Sequence, residues 1–290
     1  MADTDKRLTE VLKRRTTGIL LAAALLALWY VQGWPLRVGL MLMMVLSVHE
    51  MQSAFAARGA KPARFAGLVY AALAMPAYLF YGTGALAPLT VLMCVAALTA
   101  IVLRGEADFE SAAATLFPLF YPGLPLALLF PLMDIEPRLL GTVMIGLSFL
   151  VALVNDIAAY EVGRRYGRTK LCPALSPKKT VEGALAGVAA SVAIALAVPP
   201  VAEWATRIVP AAAPFQAALP PFWHFALIGL LGGLAAPLGD LTASMVKRHC
   251  GIKDYGNLFP GHGGMLDRID SVVFTGAMVH IYCALVLKLL

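Results

Sequence analysis

Acidic, hydroxyl and basic side chains gather near the C-terminal end of the sequence, in residues 240–271. Asp240, Ser244 and the Lys247–Arg248 pair follow one another at helical spacing, so a helix would place them on one face. A carboxylate at the edge of an apolar helix is costly, and such a residue usually has a function. The pattern predicts a site for a phosphate-bearing substrate and a cation.

A glycine-rich turn, PGHGG at 260–264, follows Lys253 in the same stretch. Glycines at this density allow successive backbone N–H groups to converge on an anion. Asp267 and Asp270 then lie one turn apart at the start of the next predicted helix, where negative charge is tolerated. Oxygen ligands dominate, which favours Mg²⁺ or a similar hard cation over zinc. The stretch therefore resembles machinery for polyphosphate chemistry.

A second polar group lies upstream. Asp156 sits late in a long apolar run, and the turn Ser176-Pro-Lys178-Lys179-Thr precedes the next run. This turn could hold a nucleotide triphosphate or a lipid phosphate. Equally, the two lysines could only orient the chain in a membrane, and Asp156 could be a structural partner of another polar side chain.

The elements that carry these residues must be membrane helices. Of 290 residues, 60% are apolar and 14% are charged, whereas a soluble domain has about 25% charged residues. Such a composition excludes an ordinary soluble enzyme, a disordered chain and a disulfide scaffold. We predict an all-α fold, a polytopic helical membrane protein with about nine transmembrane helices. The predicted spans are 18–34, 36–56, 65–81, 85–103, 111–133, 138–162, 183–203, 223–247 and 270–290.

The distribution of Lys and Arg predicts the orientation. With a cytoplasmic N-terminus, 19 of the 23 basic residues fall on the cytoplasmic side. The predicted organisation is a basic cytoplasmic N-terminus (1–17) before a retained anchor, N-terminal transmembrane helices (18–137) and a C-terminal catalytic region (138–290). The catalytic region carries two cytoplasmic loops, 163–182 and 248–269. The net charge of +6 then reflects cytoplasmic loops and not nucleic-acid binding.

The run from Ser244 to Asp270 reads S-x-x-K-R-x(4)-K-D-x-G-x(2)-F-P-x-H-G-G-x-x-D-R-x-D. This run resembles the signature of the phosphatidate cytidylyltransferase (CDP-diacylglycerol synthase) family at every fixed position. The Asn155–Asp156 helix and the S-P-K-K-T turn resemble the same family, so the resemblance covers roughly 150–290. It implies an enzyme that transfers CMP from CTP to phosphatidic acid, releasing pyrophosphate. In-line attack by the lipid phosphate on the α-phosphorus needs no protein nucleophile, only positioning and positive charge.

The resemblance also implies roles for individual residues. Asp240 and Asp267 would bind Mg²⁺, and Asp156 is a candidate for a second cation. Asp270 is a further candidate metal ligand. The implied catalytic set is Lys247, Arg248, Lys253, His262 and Arg268. The implied substrate-binding set is Ser176, Lys178, Lys179, Ser244, Gly263 and Gly264.

Two other functions remain open from the sequence. A CTP-dependent polyprenol kinase would share much of this pattern, and an ion-coupled transporter would place carboxylates at mid-span in symmetry-related positions. The predicted partners are CTP, phosphatidic acid and membrane lipid, without nucleic acid, and a homodimer is compatible with the sequence. The predicted location is a bacterial inner membrane with the active site facing the cytoplasm. His49 and Glu50, in the second span, are interpreted as a polar cluster that satisfies a neighbouring helix, although an interior Glu could also contact substrate.

Overall fold

The computed structural model describes residues 23, 27, 31–105, 108–209, 213–259 and 261–290. Within these ranges, eight helices are long and apolar enough to cross a membrane. This confirms the predicted all-α polytopic fold, and the chain is an integral membrane protein. The predicted N-terminal segment 1–17 and most of the first predicted span, 18–34, lie outside the described residues.

The first of two compact units contains the described residues up to Ala127 together with Val246–Ile269. Its helices are α1 (Gly33–Ala57), α2 (Arg64–Tyr81), α3 (Leu86–Leu103, after a 3₁₀ turn at Thr83–Ala85) and α4 (Phe109–Pro118). The predicted spans 36–56, 65–81 and 85–103 agree with these bounds to within three residues, because apolar residues predominate in each.

The fifth predicted span is broken, as its prolines predict. After α4 the chain forms a π turn (Leu119–Gly123) and two short helices, α5 (Leu124–Ala127) and α6 (Leu129–Leu132). Tyr121 has non-helical dihedral angles, φ −144° and ψ 114°, and Pro122 has no N–H to continue the helical ladder. The π turn lies within the first unit, and the chain leaves that unit after Ala127, between α5 and α6.

Asp108 begins α4 as a side-chain cap. Its carboxylate accepts hydrogen bonds from the backbone N–H groups of Glu110 (3.0 Å) and Ser111 (3.1 Å) and from the Ser111 hydroxyl (2.8 Å). These bonds, led by the one from the hydroxyl, favour the charged form and lower the pKa of Asp108. Capping satisfies donors that would otherwise have no partner in the first turn.

The second unit comprises Leu128–Met245 and Asp270–Leu290. Its elements are α6, α7 (Arg138–Tyr166), β1 (Lys170–Cys172), β2 (Ser176–Thr180), α8 (Val181–Leu196), α9 (Val198–Ile208), α10 (Ala213–Ala218), and most of α11 (Phe222–His249) and α12 (Leu266–Leu285). The region predicted as catalytic, 138–290, therefore contributes to both units.

Three segments differ from the sequence prediction. The loop expected at 163–182 is mostly ordered: α7 continues to Tyr166, and an antiparallel hairpin, β1–β2, follows. The expected spacer 204–222 contains the end of α9 and the short helix α10. The last helix starts at Leu266, four residues before the predicted start at 270, and ends at Leu285.

A buried asparagine ties three helices of the second unit together. The Asn155 amide on α7 donates hydrogen bonds to the Ser191 hydroxyl on α8 (3.1 Å) and to the Gly233 carbonyl on α11 (2.9 Å). A Cβ atom at Gly187 would lie 2.8 Å from the Asn155 side-chain oxygen. Small residues thus allow these backbones to approach closely, as is common between membrane helices. This packing holds Asp156, the next residue, in place.

Candidate functional site

The first group of polar residues, here called the signature cluster, consists of Lys247, Tyr255, Gly264 and Asp267 in the first unit. The Asp267 carboxylate accepts from the Lys247 ammonium (2.9 Å), the Tyr255 N–H (2.7 Å) and the Gly264 N–H (3.0 Å). The Asp267 side chain is 3% exposed and that of Lys247 13%. The ammonium also lies 5.4 Å from the centre of the Tyr255 ring. A buried ion pair with this many partners fixes the loop between α11 and α12.

Glu50 closes the same loop from α1. Its two carboxylate oxygens accept from the N–H groups of Met265 and Leu266, each at 2.9 Å. These groups are the first donors of α12, and such donors have no partner inside a helix. Glu50 and Asp267 supply acceptors here, which explains why α12 begins at Leu266 and not at the predicted position.

The glycine-rich turn reverses the chain over a few residues. The Phe259 N–H donates to the Gly263 carbonyl (2.9 Å), and the His262 N–H donates to the Phe259 carbonyl (2.8 Å). Gly263 has φ +82°, and a Cβ atom there would lie 2.8 Å from an Asp267 oxygen. The turn exists as predicted, but its neighbouring N–H groups at 264–266 bind the carboxylates of the protein itself. Pro260 lies outside the described residues.

The remaining basic residues of the signature have a different environment. The side chains of Arg248, Lys253 and Arg268 are exposed, and His262 is half-buried. These side chains border the signature cluster in sequence, and they can reach a ligand that approaches from solvent. Their predicted contact with phosphates stays a prediction.

The second group, here called the hairpin cluster, consists of Asp156, Lys179, Asp240, Ser244 and Ser271 in the second unit. The Lys179 ammonium forms an ion pair with the Asp240 carboxylate, and Asp156 interacts electrostatically with both. Ser271 donates its hydroxyl to Asp156 (3.1 Å), and Ser244 donates to Asp240 (3.4 Å). One ammonium thus lies beside two carboxylates, each of which also has a hydroxyl partner.

The hairpin separates two lysines that are adjacent in sequence. Successive residues of a strand point to opposite faces. Lys179 on β2 reaches Asp240, whereas Lys178 is exposed and Ser176 is half-buried. Only one of the two lysines therefore belongs to the hairpin cluster.

The predicted metal ligands are divided between the units. Asp156, Asp240 and Asp270 lie in the second unit and Asp267 in the first, and Asp270 accepts from the Ser271 N–H (2.8 Å). Among the described residues, no three His, Cys, Asp or Glu side chains form a metal-binding group. Asp156 and Asp240 nevertheless fit a hard cation, because both are oxygen donors and a cationic ammonium already lies beside them.

Glu50, Tyr255 and Ser271 are the polar partners that sequence reasoning did not assign to the site. Glu50 was interpreted as part of a packing cluster, and it does bind backbone groups, but those groups belong to the signature loop. A carboxylate within a membrane span was the one available signal. Nothing in the sequence indicates that its partners lie more than 200 residues away.

Comparison with known proteins gives the family. The family model described as "Cytidylyltransferase family" matches residues 12–286. Phosphatidate cytidylyltransferase of Synechocystis sp. is 33% identical over 94% of this chain and 95% of its own length. Phosphatidate cytidylyltransferase 5, chloroplastic, of Arabidopsis thaliana is 30% identical over 94% of this chain and 72% of its own. Phosphatidate cytidylyltransferase of Brucella suis is 40% identical over 58% of this chain and 56% of its own. The family predicted from the signature is confirmed: this chain belongs to the cytidylyltransferase family.

Proposed function

We propose that this protein transfers CMP from CTP to phosphatidic acid, forming CDP-diacylglycerol and pyrophosphate. The observation that carries the proposal is the family match over residues 12–286, which includes both polar clusters. The names of relatives with 30–40% identity support the choice of lipid acceptor. The eight apolar helices of the described residues fit an enzyme whose acceptor is a membrane lipid.

The reaction needs two anions to meet. A phosphate oxygen of phosphatidic acid attacks the α-phosphorus of CTP, and the bond from that phosphorus to the bridging oxygen of pyrophosphate breaks. No atom of the protein becomes covalently attached. The contribution of the chain is to hold the two phosphates in line and to offset the charge that develops on the leaving group.

Lys179 and Lys247 are the best supported cations for this task. Each is paired with a carboxylate, and each side chain is only partly exposed. A partly desolvated ammonium attracts a phosphate more strongly than an ammonium in bulk water does. The exposed Arg248, Lys253 and Arg268 would attract the anionic nucleotide from solution, and His262, Gly263 and Gly264 would shape the turn beside it.

We propose that Asp156 and Asp240 hold a divalent cation, with Mg²⁺ as the expected ion. A bound divalent cation neutralises phosphate charge and aligns the leaving group. The Lys179 ammonium would then be released from Asp240 and become available to phosphate. Asp267, which the resemblance assigns to the same cation as Asp240, and Asp270 stay predicted metal ligands, although both oxygens of Asp267 already have partners.

We also propose that both polar clusters face the cytoplasm, in a bacterial inner membrane. The excess of Lys and Arg in the segments beside them supports this orientation. A homodimer stays a prediction. Cysteine labelling at Lys178 and at Arg207, which lie on opposite predicted sides, would test the orientation in intact cells.

The decisive experiment determines which phosphorus atom of CTP is transferred to lipid. Detergent-purified protein is incubated with Mg²⁺, phosphatidic acid and CTP that carries the label at either the α or the γ position. Cytidylyl transfer puts the α label, and not the γ label, into lipid. Omission of phosphatidic acid is the control.

The competing functions give different results in the same assay. A CTP-dependent lipid kinase would put the γ label into lipid, with polyprenol among the acceptors to be tested. An ion-coupled transporter would label no lipid and would carry ions into proteoliposomes without CTP. Either result would overturn the proposed function.

A further inference from the structure

The Glu50 carboxylate on α1 binds the backbone at the start of α12. It lies in the second-last turn of α1, is 8% exposed, and binds two successive backbone N–H groups of the signature loop. A carboxylate that accepts from the first donors of a helix also interacts favourably with the positive end of the helix dipole. Its two bonds join α1 to the start of α12.

The loop is shaped around this carboxylate. A Cβ atom at Gly264 would lie 2.5 Å from each Glu50 oxygen, and one at Gly256 would lie 3.0 Å from Oε1. Cβ atoms do not approach another atom as closely as 2.5 Å, so any other residue at position 264 would displace the carboxylate. Gly264 is thus required by its contact with Glu50.

A series of contacts connects Glu50 to the ion pair between Asp267 and Lys247. Gly264 donates its N–H to Asp267, and Asp267 binds Lys247. From Glu50 to Lys247, each step is a hydrogen bond or an adjacent residue. Movement of the backbone at 264–266 would therefore move the carboxylate that holds Lys247.

We propose that Glu50 is a positioning residue for the reaction: it fixes the backbone at Gly264–Leu266 so that Asp267 keeps the Lys247 ammonium oriented toward phosphate. The proposal rests on the proposed function for its effect on turnover. It assigns to the first membrane helix of the described chain a part in the site, which the family signature confines to the C-terminal half.

Gln52 is a matched comparison on the same helix. It is fully buried and contacts α2 at Gly67, and its side-chain atoms have no hydrogen-bond partner among the described residues. Glu50→Gln and Gln52→Leu each alter one buried polar group of α1. Only the first alters the signature loop.

The first test compares these two variants. Glu50→Gln keeps the volume but loses the charge, and it places an amide donor against an N–H. We expect kcat/KM to fall about 10- to 100-fold, mainly through kcat, because a charged acceptor of two N–H groups is lost. Hydrogen exchange at residues 264–266 should quicken about 10-fold, with little change in other helices. Gln52→Leu should change neither quantity by more than about twofold.

The second test uses the crowding at Gly264. Gly264→Ala alone should reduce kcat/KM, because its methyl group pushes the Glu50 carboxylate away. In a Glu50→Ala background the methyl group has room, so the added substitution should cost little. This non-additivity is expected for residues in direct contact.

The outcomes separate the two proposals. Wild-type turnover and unchanged local exchange in Glu50→Gln would overturn the positioning role, and so would faster exchange spread evenly over all helices. Additive losses in the double variant would contradict the contact argument. If the wild-type protein labels no lipid, the proposed function fails, whereas the exchange measurement still tests whether Glu50 holds the loop.

Discussion

Replacing Asp267 with asparagine should unfold the signature cluster locally and lower the stability of the protein. The carboxylate has three donors and is 3% exposed, and its partner Lys247 is 13% exposed. Removing one charge from a buried ion pair costs about 3–5 kcal/mol, because the other charge is left unpaired. Lys247 can still reach some water, so we expect a loss near the lower end, about 3 kcal/mol. Turnover should be lost as well.

The free energy of unfolding can be measured by denaturant titration in mixed micelles. In the double variant Asp267→Asn, Lys247→Met, no buried ammonium is left without its carboxylate partner. We therefore expect this variant to regain more than half of the lost free energy of unfolding, while turnover stays absent. Glu203→Gln is the control, because its pair with Arg207 is exposed and should contribute less than about 1 kcal/mol. If Asp267→Asn is no less stable than this control, or if the double variant recovers nothing, the ion-pair reasoning is refuted.

Three further results are expected. Lys179→Ala should reduce kcat/KM at least about 100-fold, whereas Lys178→Ala, on the opposite face of the strand, should stay within about threefold in a CTP titration; equal losses would contradict the hairpin geometry. Asp240→Asn and Asp156→Asn should each raise the Mg²⁺ concentration needed for half-maximal rate, and an unchanged Mg²⁺ titration would remove them as ligands. The pKa of Asp108 is lowered on folding, so its cap on α4 is complete above the ordinary aspartate pKa of about 3.9 and is lost as pH falls through its lower folded pKa. Exchange of the first-turn amides of α4 should quicken over that acidic range, and Asp108→Asn should abolish this dependence.

Much of the membrane architecture was predictable from sequence. The helices α1, α2, α3, α7 and α11 fall where the apolar runs predict them, because each run alone is long enough to span a bilayer. The break after Pro118 was also predictable, because a proline inside a helix has no N–H to donate to the preceding turn. These properties depend on residues close together in sequence.

The β1–β2 hairpin was harder to predict from the sequence. The turn Ser176–Thr180 contains proline and two lysines and reads as a charged loop, yet it forms β2 and pairs with β1. A short hairpin is marginal alone and needs neighbouring structure for stability. The ion pair from Lys179 to Asp240 and the packing of Thr180 supply some of that support.

By itself the sequence determined the fold class, the approximate helix bounds and the family, and it predicted a set of residues for phosphate binding. Which of those residues act together was decided only by tertiary structure. Lys179 is separated from Lys178 by the strand pleat, and Glu50 reaches Met265 across 215 positions. The physical reason is that hydropathy and motif spacing report local properties of the chain, whereas a hydrogen bond or an ion pair depends on where distant segments meet.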